Sequence, residues 1–240
     1  MNDIRYFKSL PSTNDAARAA AEEGAPACFT VAAERQTAGR GRMGRTFVSP
    51  PGGAYFSVVL RPRLSPAEYG LVTPFAALAV RRAVDKTAHV ALDVKWVNDL
   101  LYRGKKVCGI LSESGVDRQG VPFVVLGIGI NMQNSVLPPE LNGVAGCIPF
   151  ADHRTLISAV VAELRAGQAE MESGAFLPEY RRVCVSLGRE VVLFDGGAQE
   201  TVFALDIAPN GGLIVRHADG RRSTVFGGEI SLRPAQTDTN

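Results

Sequence analysis

The run Gln36-Thr37-Ala38-Gly39-Arg40-Gly41-Arg42-Met43-Gly44-Arg45 decides how this chain is read. Gly39, Gly41 and Gly44 fall at GxGxxG spacing, the fingerprint of a dinucleotide-binding turn between a strand and a helix. The flanks deny that context. Thr46 to Pro51, followed by Gly52-Gly53, cannot carry a helix on from the glycines. No acidic residue stands around Leu60 to Arg63, about twenty positions on, where a ribose hydroxyl would need one. A doubly wound parallel sheet is thereby set aside, and the run reads as a loop. Its glycines let the backbone approach a ligand, and the guanidinium forks of Arg40, Arg42 and Arg45 suit carboxylate or phosphate. A solvated basic loop, or a nucleic-acid contact, would use the same residues.

Working outward, Ile4, Tyr6 and Leu10 alternate as a strand that Pro11 ends. Ser12 or Thr13 then caps an alanine-rich helix to about Glu23, with Asp15 at a weak capping-box position and Gly24 as the stop. Phe29 to Ala33 and Ala54 to Leu60 read as strands. Ser65-Pro66-Ala67-Glu68 opens a helix towards Lys86, which Pro74 should kink or split. Strands are predicted over 92–96, 101–102, 107–114 and 121–130, the last apolar enough for burial on both faces. Residues 137–150, rich in Pro and Gly, form an irregular loop. Arg154 to Glu172 is an amphipathic helix with Leu156, Val160 and Leu164 at i, i+4 and i+8. From Arg189 to Leu232 only strand signals occur, with Asp219-Gly220 as a hairpin turn. Such short strands suggest a small β-barrel appended to an α/β body. Residues 235–240 read as a polar tail.

Two further clusters carry chemistry. Lys95-Trp96-Val97-Asn98-Asp99 precedes Lys105-Lys106-Val107-Cys108-Gly109-Ile110-Leu111. A cation before a turn, two side chains that hold geometry and a second cation on the next strand would orient an acyl or phosphoryl group. A charged surface hairpin would look the same. Gly127-Ile128-Gly129-Ile130-Asn131 puts two glycines in a buried strand, which implies close approach by a neighbour or a ligand. Asn131 is placed like a site residue, although core packing also accounts for this run.

Composition removes other classes. The 240 residues are 46% hydrophobic and 21% charged, too apolar for a disordered chain. Lys and Arg number 26 against 24 Asp and Glu, and a net charge of +2 is too small for binding nucleic acid along a broad basic face. No run of about 18 apolar residues predicts a membrane helix. Met1 to Lys8 contains Asp3, Arg5 and Lys8 without the apolar core of a signal peptide. Cys28, Cys108, Cys147 and Cys184 lack metal-ligand spacing and read as reduced thiols of a cytoplasmic protein. His89, His153 and His217 are isolated, so zinc-hydrolase and triad chemistry has no motif and no protein-held metal is expected.

Together and in order, the clusters resemble the biotin protein ligase family from about Ile4 to Arg233. Ser12-Thr13-Asn14 is similar to its STN element, and Gln36 with Gly39 to Arg45 to its QxxGRGRxGR loop. Lys95 to Asp99 resembles KWPND, Lys106 to Leu111 resembles KxxGIL, and Gly127 to Asn131 resembles GxGIN. Gly228-Glu229-Ile230-Ser231-Leu232-Arg233 resembles the GDVSLR-like end of the family's last domain. The resemblance implies an α+β fold. Residues 1–186 would form a mixed sheet with flanking helices of the class II aminoacyl-tRNA synthetase/biotin synthetase-like type, and 187–234 a small SH3-like barrel. It also implies ATP-dependent activation of biotin to biotinyl-5′-AMP, with Mg2+ accompanying the nucleotide. The biotinyl group would pass to a lysine of a biotin carboxyl carrier protein, from acetyl-CoA carboxylase or a related carboxylase.

Residue roles follow from the matched positions. Ser12, Thr13 and Gln36 would hydrogen-bond the ureido ring, while Asn14, Gly39, Arg40, Gly41 and Gly109 would border biotin. Arg42 and Arg45 would face phosphates, Lys95 and Asn98 would assist the nucleotide, and Asn131 would lie near the adenosine. Lys106 would bridge the biotin carboxylate and the α-phosphate, forming the catalytic set with Arg42, Asn98 and Asp99. Val97 departs from the family's usual Pro, and Phe47 stands where Trp is common. Trp96 is the only Trp, which leaves Phe150 as the candidate aromatic over adenine. Because the STN element begins at residue 12, the expected form is the ligase without a DNA-binding domain. That form would bind neither nucleic acid nor membrane, as a cytoplasmic monomer or homodimer. A lipoate ligase or octanoyl transferase of related fold is the alternative, and the GRGRxGR and KWxND elements speak against it. A non-catalytic nucleic-acid module would leave Ser12 to Asn14, Lys106 and Asn131 unexplained.

Overall fold

Alternation along two strands explains how the molecule is layered. In the computed structural model, which describes residues 4–195, 198–226 and 229–232, β3 (Ala54–Leu60) is buried at every position. It lies beside β2 (Thr30–Ala33) and β7 (Pro122–Ile130) in a seven-stranded sheet. Val58 and Val124 face one core, whereas Val59 and Val125 face another, because successive side chains leave opposite faces of a strand. The first core lies under α2 (Val72–Ala88) and α3 (His153–Ala166). The second lies under α1 (Thr13–Glu22), whose Ala17 and Ala21 pack on Phe29, Phe123 and Val125. Along the sheet follow β6 (Lys105–Val116), β5 (Asp99–Tyr102) and β4 (Asp93–Lys95), with β1 (Ile4–Phe7) on the far edge. Only β1 and β2 pair in parallel, so the sheet is mixed, as expected.

Several local expectations change. Ser12 caps α1 by accepting the Asp15 N–H, but the Asp15 carboxylate turns to Arg40 instead of closing a capping box. Pro74 sits in the first turn of α2, where a missing N–H leaves no ladder bond unmade. The break comes earlier, after a 3-10 turn over Pro66–Leu71. The single helix expected over 154–172 is two, α3 and α4 (Gln168–Ser173), split at Gly167. A Cβ at Gly167 would lie 2.4 Å from the Phe75 ring, so the bend lets α2 approach. A further helix, α5 (Leu177–Val183), was not foreseen. It is seven residues long, too short for an apolar period to show.

The C-terminal segment forms β8 (Arg189–Asp195), β9 (Ala198–Ile207), β10 (Leu213–Arg216), β11 (Arg222–Val225) and β12 (Glu229–Leu232). All pairings are antiparallel, in the order β11-β10-β9-β8-β12, and the Asp219-Gly220 turn joins β10 to β11 as expected. Among the described residues β11 and β12 do not pair, so where a small SH3-like barrel is expected the structure shows a five-stranded antiparallel sheet without closure. Strand count and turns are legible in sequence, but closure depends on tilt and stagger between strands. This sheet continues the core under α2: Val191, Val202, Leu213 and Ile230 belong to the same buried cluster as Phe75 and Leu78. Gly228, Arg233 and the 235–240 tail lie outside the described residues, as do Met1 and Asp3. No helix among the described residues is long and apolar enough to cross a membrane. The four cysteines are free, with Cys28, Cys108 and Cys184 buried.

Candidate functional site

The sheet face that carries α1 changes character beyond the N-terminus of that helix. Val59, Val125 and Phe123 give way to Ser57, Gly127, Gly129 and Gly109, which are cross-strand neighbours on β3, β7 and β6. Each glycine makes room for a neighbouring side chain. A Cβ on Gly127 would lie 2.1 Å from Asn14 Oδ1. A Cβ on Gly129 would lie 2.4 Å from the Phe47 ring, and one on Gly109 would lie 2.9 Å from the same ring and 3.3 Å from Lys106 Nζ. The glycines of β6 and β7 are therefore a floor on which Asn14 and Phe47 are seated. Phe47 also meets Tyr55 edge-on, with ring centroids 6.4 Å apart. Burial pushes the Tyr55 hydroxyl up to about 12, so it stays neutral near pH 7.

Above the floor, the start of α1 is tied to the arginine loop. Gln36 Oε1 accepts from the Thr13 N–H at 2.8 Å and from the Thr13 hydroxyl at 3.0 Å. Gln36 Nε2 donates to Ser49 Oγ at 2.9 Å. Asn14 donates to Glu113 Oε2 at 2.8 Å and accepts from Ser57 at 2.6 Å. Arg40 bonds Asp15 at 2.6 Å and Glu113 at 2.9 Å, which fastens the loop across both elements. The loop itself is a tight turn: Gly41 N–H donates to Arg45 O at 2.7 Å, and Phe47 N–H donates to Gly39 O at 2.9 Å. Met43 and Gly44 at its tip have φ of 55° and 73°, a conformation that the glycine takes without steric cost.

On the other side stand the residues of β4, β5 and β6. Lys106 Nζ lies 2.6 Å from Asp99 Oδ1, and Lys95 Nζ lies 3.9 Å from Asp99 Oδ2. Arg42 donates to Asn98 Oδ1 at 3.0 Å, and Asn98 Nδ2 donates to the Ile110 carbonyl at 3.1 Å. The Trp96–Val97 peptide just before them is cis. Asn131, at the end of β7, is 5% exposed, and its Oδ1 has no hydrogen-bond partner in the protein.

Two adjoining cavities result. The first, of about 140 Å³, is lined by Ser12, Thr13, Asn14, Gln36, Arg40, Gly41, Arg42, Arg45, Asn98, Asp99, Lys106 and Gly109 from the expected set. The second, of about 530 Å³, is lined by Lys95, Asn131 and Cys108, with the 141–145 loop as a wall. Arg45, Thr46, Phe47, Asp99 and Lys106 line both. Gly39 lines neither. A Cβ there would lie 2.4 Å from the Phe47 carbonyl, so its smallness serves the loop's own packing. Phe150 also lines neither cavity and packs on the core under α2, whereas Phe47 stands at the junction. Sequence reading missed Ser57 and Glu113. Ser57 was visible as the one polar residue in the run Ala54 to Leu60.

The Biotin/lipoate A/B protein ligase family model matches residues 6–131. The chain is 40% identical over 143 residues to the bifunctional ligase/repressor BirA of Bacillus subtilis (strain 168), covering 58% of this chain and 44% of that protein. It is 31% identical over 207 residues to the biotin–[acetyl-CoA-carboxylase] ligase of Paracoccus denitrificans, covering 80% of this chain and 85% of that one. The biotin protein ligase from Aquifex aeolicus, solved in complex with biotin and ATP, superposes with a TM-score of 0.82 at 25% identity, covering 97% of this chain and 99% of that one. The chain spans about half the length of the ligase/repressor relatives it matches. The motif order, the mixed sheet and these matches agree: the chain belongs to the biotin/lipoate A/B protein ligase family.

Proposed function

We propose that this chain is an ATP-dependent biotin protein ligase. It converts biotin and ATP to biotinyl-5′-AMP and pyrophosphate, then passes the biotinyl group to a lysine of a biotin carboxyl carrier domain. The observation that carries this reading is Lys106, a cation at the wall shared by two adjoining cavities and held there by Asp99. One cavity is floored by glycines and rimmed by hydroxyl and amide groups, as a buried polar ring requires. The other has room for a nucleotide and is lined by Asn131, whose buried Oδ1 has no hydrogen-bond partner in the protein.

The chemistry follows from position and charge. A biotin carboxylate oxygen attacks the α-phosphorus of ATP, the bond to the β-phosphate oxygen breaks, and pyrophosphate leaves. Lys106 stands where the carboxylate and the α-phosphate meet and offsets the negative charge gathered there. Arg42 and Arg45 face the phosphates, with Arg42 oriented by Asn98. The acceptor lysine amine then attacks the acyl carbon, the bond to the AMP oxygen breaks, and the amine proton is lost to solvent. MgATP is the substrate form. Among the described residues no three His, Cys, Asp or Glu side chains gather to hold a cation. The ion would enter with the triphosphate, whose oxygens and bound water suit a small hard cation.

We place the boundary between the catalytic body and the C-terminal sheet at 186/187, and the reaction in the cytoplasm, whose reducing conditions suit four free thiols. Incubation with ATP, magnesium, labelled biotin and a carrier domain is expected to label the acceptor lysine only when ATP is present. Absence of label would overturn the reading. Thermal stabilisation by lipoate instead of biotin would move the assignment to the family's other branch.

A further inference from the structure

The chain holds two Asn-Gly pairs, Asn142-Gly143 and Asn210-Gly211. Such a pair carries an electrophile and a nucleophile side by side: the asparagine side-chain carbonyl carbon, and the next amide nitrogen, which glycine leaves unshielded. The second pair is pinned. Gly211 is buried, its N–H donates to the Ala208 carbonyl at 2.9 Å, and its own carbonyl accepts the Trp96 indole N–H at 3.2 Å. A Cβ on Gly211 would lie 2.3 Å from the Gly70 carbonyl oxygen, so this turn is wedged against the catalytic body. The first pair is open. Asn142 and Gly143 are both exposed, and a Cβ on Gly143 would meet nothing within 4 Å. Asn142 has φ −58° and ψ 131° and Gly143 has φ 87°, a type II turn that the Val144 N–H closes on the Leu141 carbonyl at 3.1 Å. Among the described residues the Gly143 N–H makes no hydrogen bond. Rotating ψ towards ring closure therefore disturbs an exposed turn and not a packed contact.

We infer that Asn142 is a site of spontaneous covalent modification, and that its conversion to isoaspartate switches off the cavity wall beside Lys106. The Gly143 nitrogen attacks Asn142 Cγ, the bond from Cγ to Nδ2 breaks, and ammonia leaves with the amide proton. Water then opens the cyclic imide at either carbonyl, which gives aspartate or isoaspartate. The isoaspartate route places an extra carbon in the main chain two residues before Val144. That segment is fastened to the catalytic lysine on both sides: Lys106 N–H donates to the Val144 carbonyl at 3.0 Å, and Gly146 N–H donates to the Lys106 carbonyl at 2.9 Å. Gly143 and Val144 also line the second cavity, whereas Asn142 lines neither. Lengthening the backbone there moves the wall and the Lys106 strand against each other, and a small misplacement of a positioned charge is costly. This consequence for activity rests on the biotin ligase reading; the modification itself does not.

The test is a time course of the full chain held in mildly alkaline buffer. Peptide mass spectrometry follows deamidation, labelling by an isoaspartate-specific methyltransferase follows isoaspartate, and pyrophosphate release with biotin and ATP follows activity. Conversion at Asn142 is expected to run roughly tenfold or more ahead of conversion at Asn210, where the Gly211 amide must first give up its hydrogen bond and open locally. Activity should fall in step with isoaspartate at 142. Asn142→Gln, whose longer side chain closes the ring far more slowly, should keep its activity over the same period. Freshly prepared Asn142→Asp, which carries the charge without the extra main-chain carbon, should keep most of it. An Asn142 that stays intact, or converts no faster than Asn210, overturns the inference. Equal loss of activity in Asn142→Gln and the unsubstituted protein overturns the link to the cavity wall, and so does a fresh Asn142→Asp as inactive as the aged protein. If fresh unsubstituted protein makes no biotinyl-AMP, the ligase reading falls, while the mass and methyl readouts still decide the modification.

Discussion

Lys106 shows how one side chain gains its role from what surrounds it. Its ammonium is half-buried and paired with Asp99, and it borders both cavities. Lys106→Ala is expected to slow biotinyl-AMP formation by about 100-fold or more, because a preorganised charge is lost where charge builds up. Pyrophosphate release, measured beside an unchanged thermal melt, checks this. A rate equal to that of the unsubstituted enzyme would remove Lys106 from the reaction. Gly129 makes a second test. An added Cβ would meet the Phe47 ring at 2.4 Å, and Phe47 is half-buried at the cavity junction with freedom to swing away. Gly129→Ala is expected to weaken biotin binding by roughly tenfold, and to add nothing further in a Phe47→Ala background. Full additivity of the two changes in a titration would show that the glycine acts elsewhere. At this scale sequence named most of the residues that line the cavities, but not their contacts. The two glycines of β7 read as a close approach, yet their partners, Asn14 and Phe47, lie more than eighty positions away in the chain.

Elements succeed or fail as predictions according to how local their causes are. The cap at Ser12, the strand over Ala54–Leu60 and the Asp219-Gly220 turn are set by near neighbours, and each lies where its pattern places it. The bend at Gly167 answers to Phe75 on another helix, and the glycine alone, which a helix also tolerates, does not fix it. The helices after that bend are held by Arg82 of α2, which bonds Glu170 of α4 at 2.9 Å and also Glu179 of α5. This guanidinium holds the Glu170 carboxyl below its usual range. A carboxylate depressed on folding contributes stability above its unfolded pKa and loses it as pH falls through the folded value. Arg82→Met is therefore expected to cost about 1 to 2 kcal/mol near neutral pH, with the gap narrowing as the medium is acidified below the ordinary value of 4.5. Urea denaturation of both proteins at neutral and acid pH measures that gap. A gap independent of pH would show that packing, and not the ion pairs, accounts for the loss.

The whole molecule is joined at Trp96. Its backbone N–H donates to Ser186 Oγ at 2.9 Å, and its indole N–H donates to the Gly211 carbonyl at 3.2 Å. Arg181 reaches the same sheet through Asp206 at 2.7 Å. Since one buried cluster runs from α2 into the C-terminal strands, the two parts are expected to unfold together. As the only tryptophan, Trp96 reports on their contact. Its fluorescence and the far-ultraviolet circular dichroism should follow one coincident urea transition. Two separated transitions would mean that the C-terminal sheet is held to the body only loosely.

The sequence by itself determined the family, the mixed α/β body followed by strands, and most of the residues around the cavities. These depend on motif order, short-range caps and turns, and the alternation of apolar residues. Tertiary structure alone decided that Lys106 stands between two cavities, that the strand glycines seat Asn14 and Phe47, and that Glu113 and Ser57 hold Asn14 by hydrogen bonds. It also decided that the C-terminal strands form an open sheet. Those outcomes depend on contacts between residues distant in the chain, and on the distances and proton directions that such contacts impose, which no local pattern encodes.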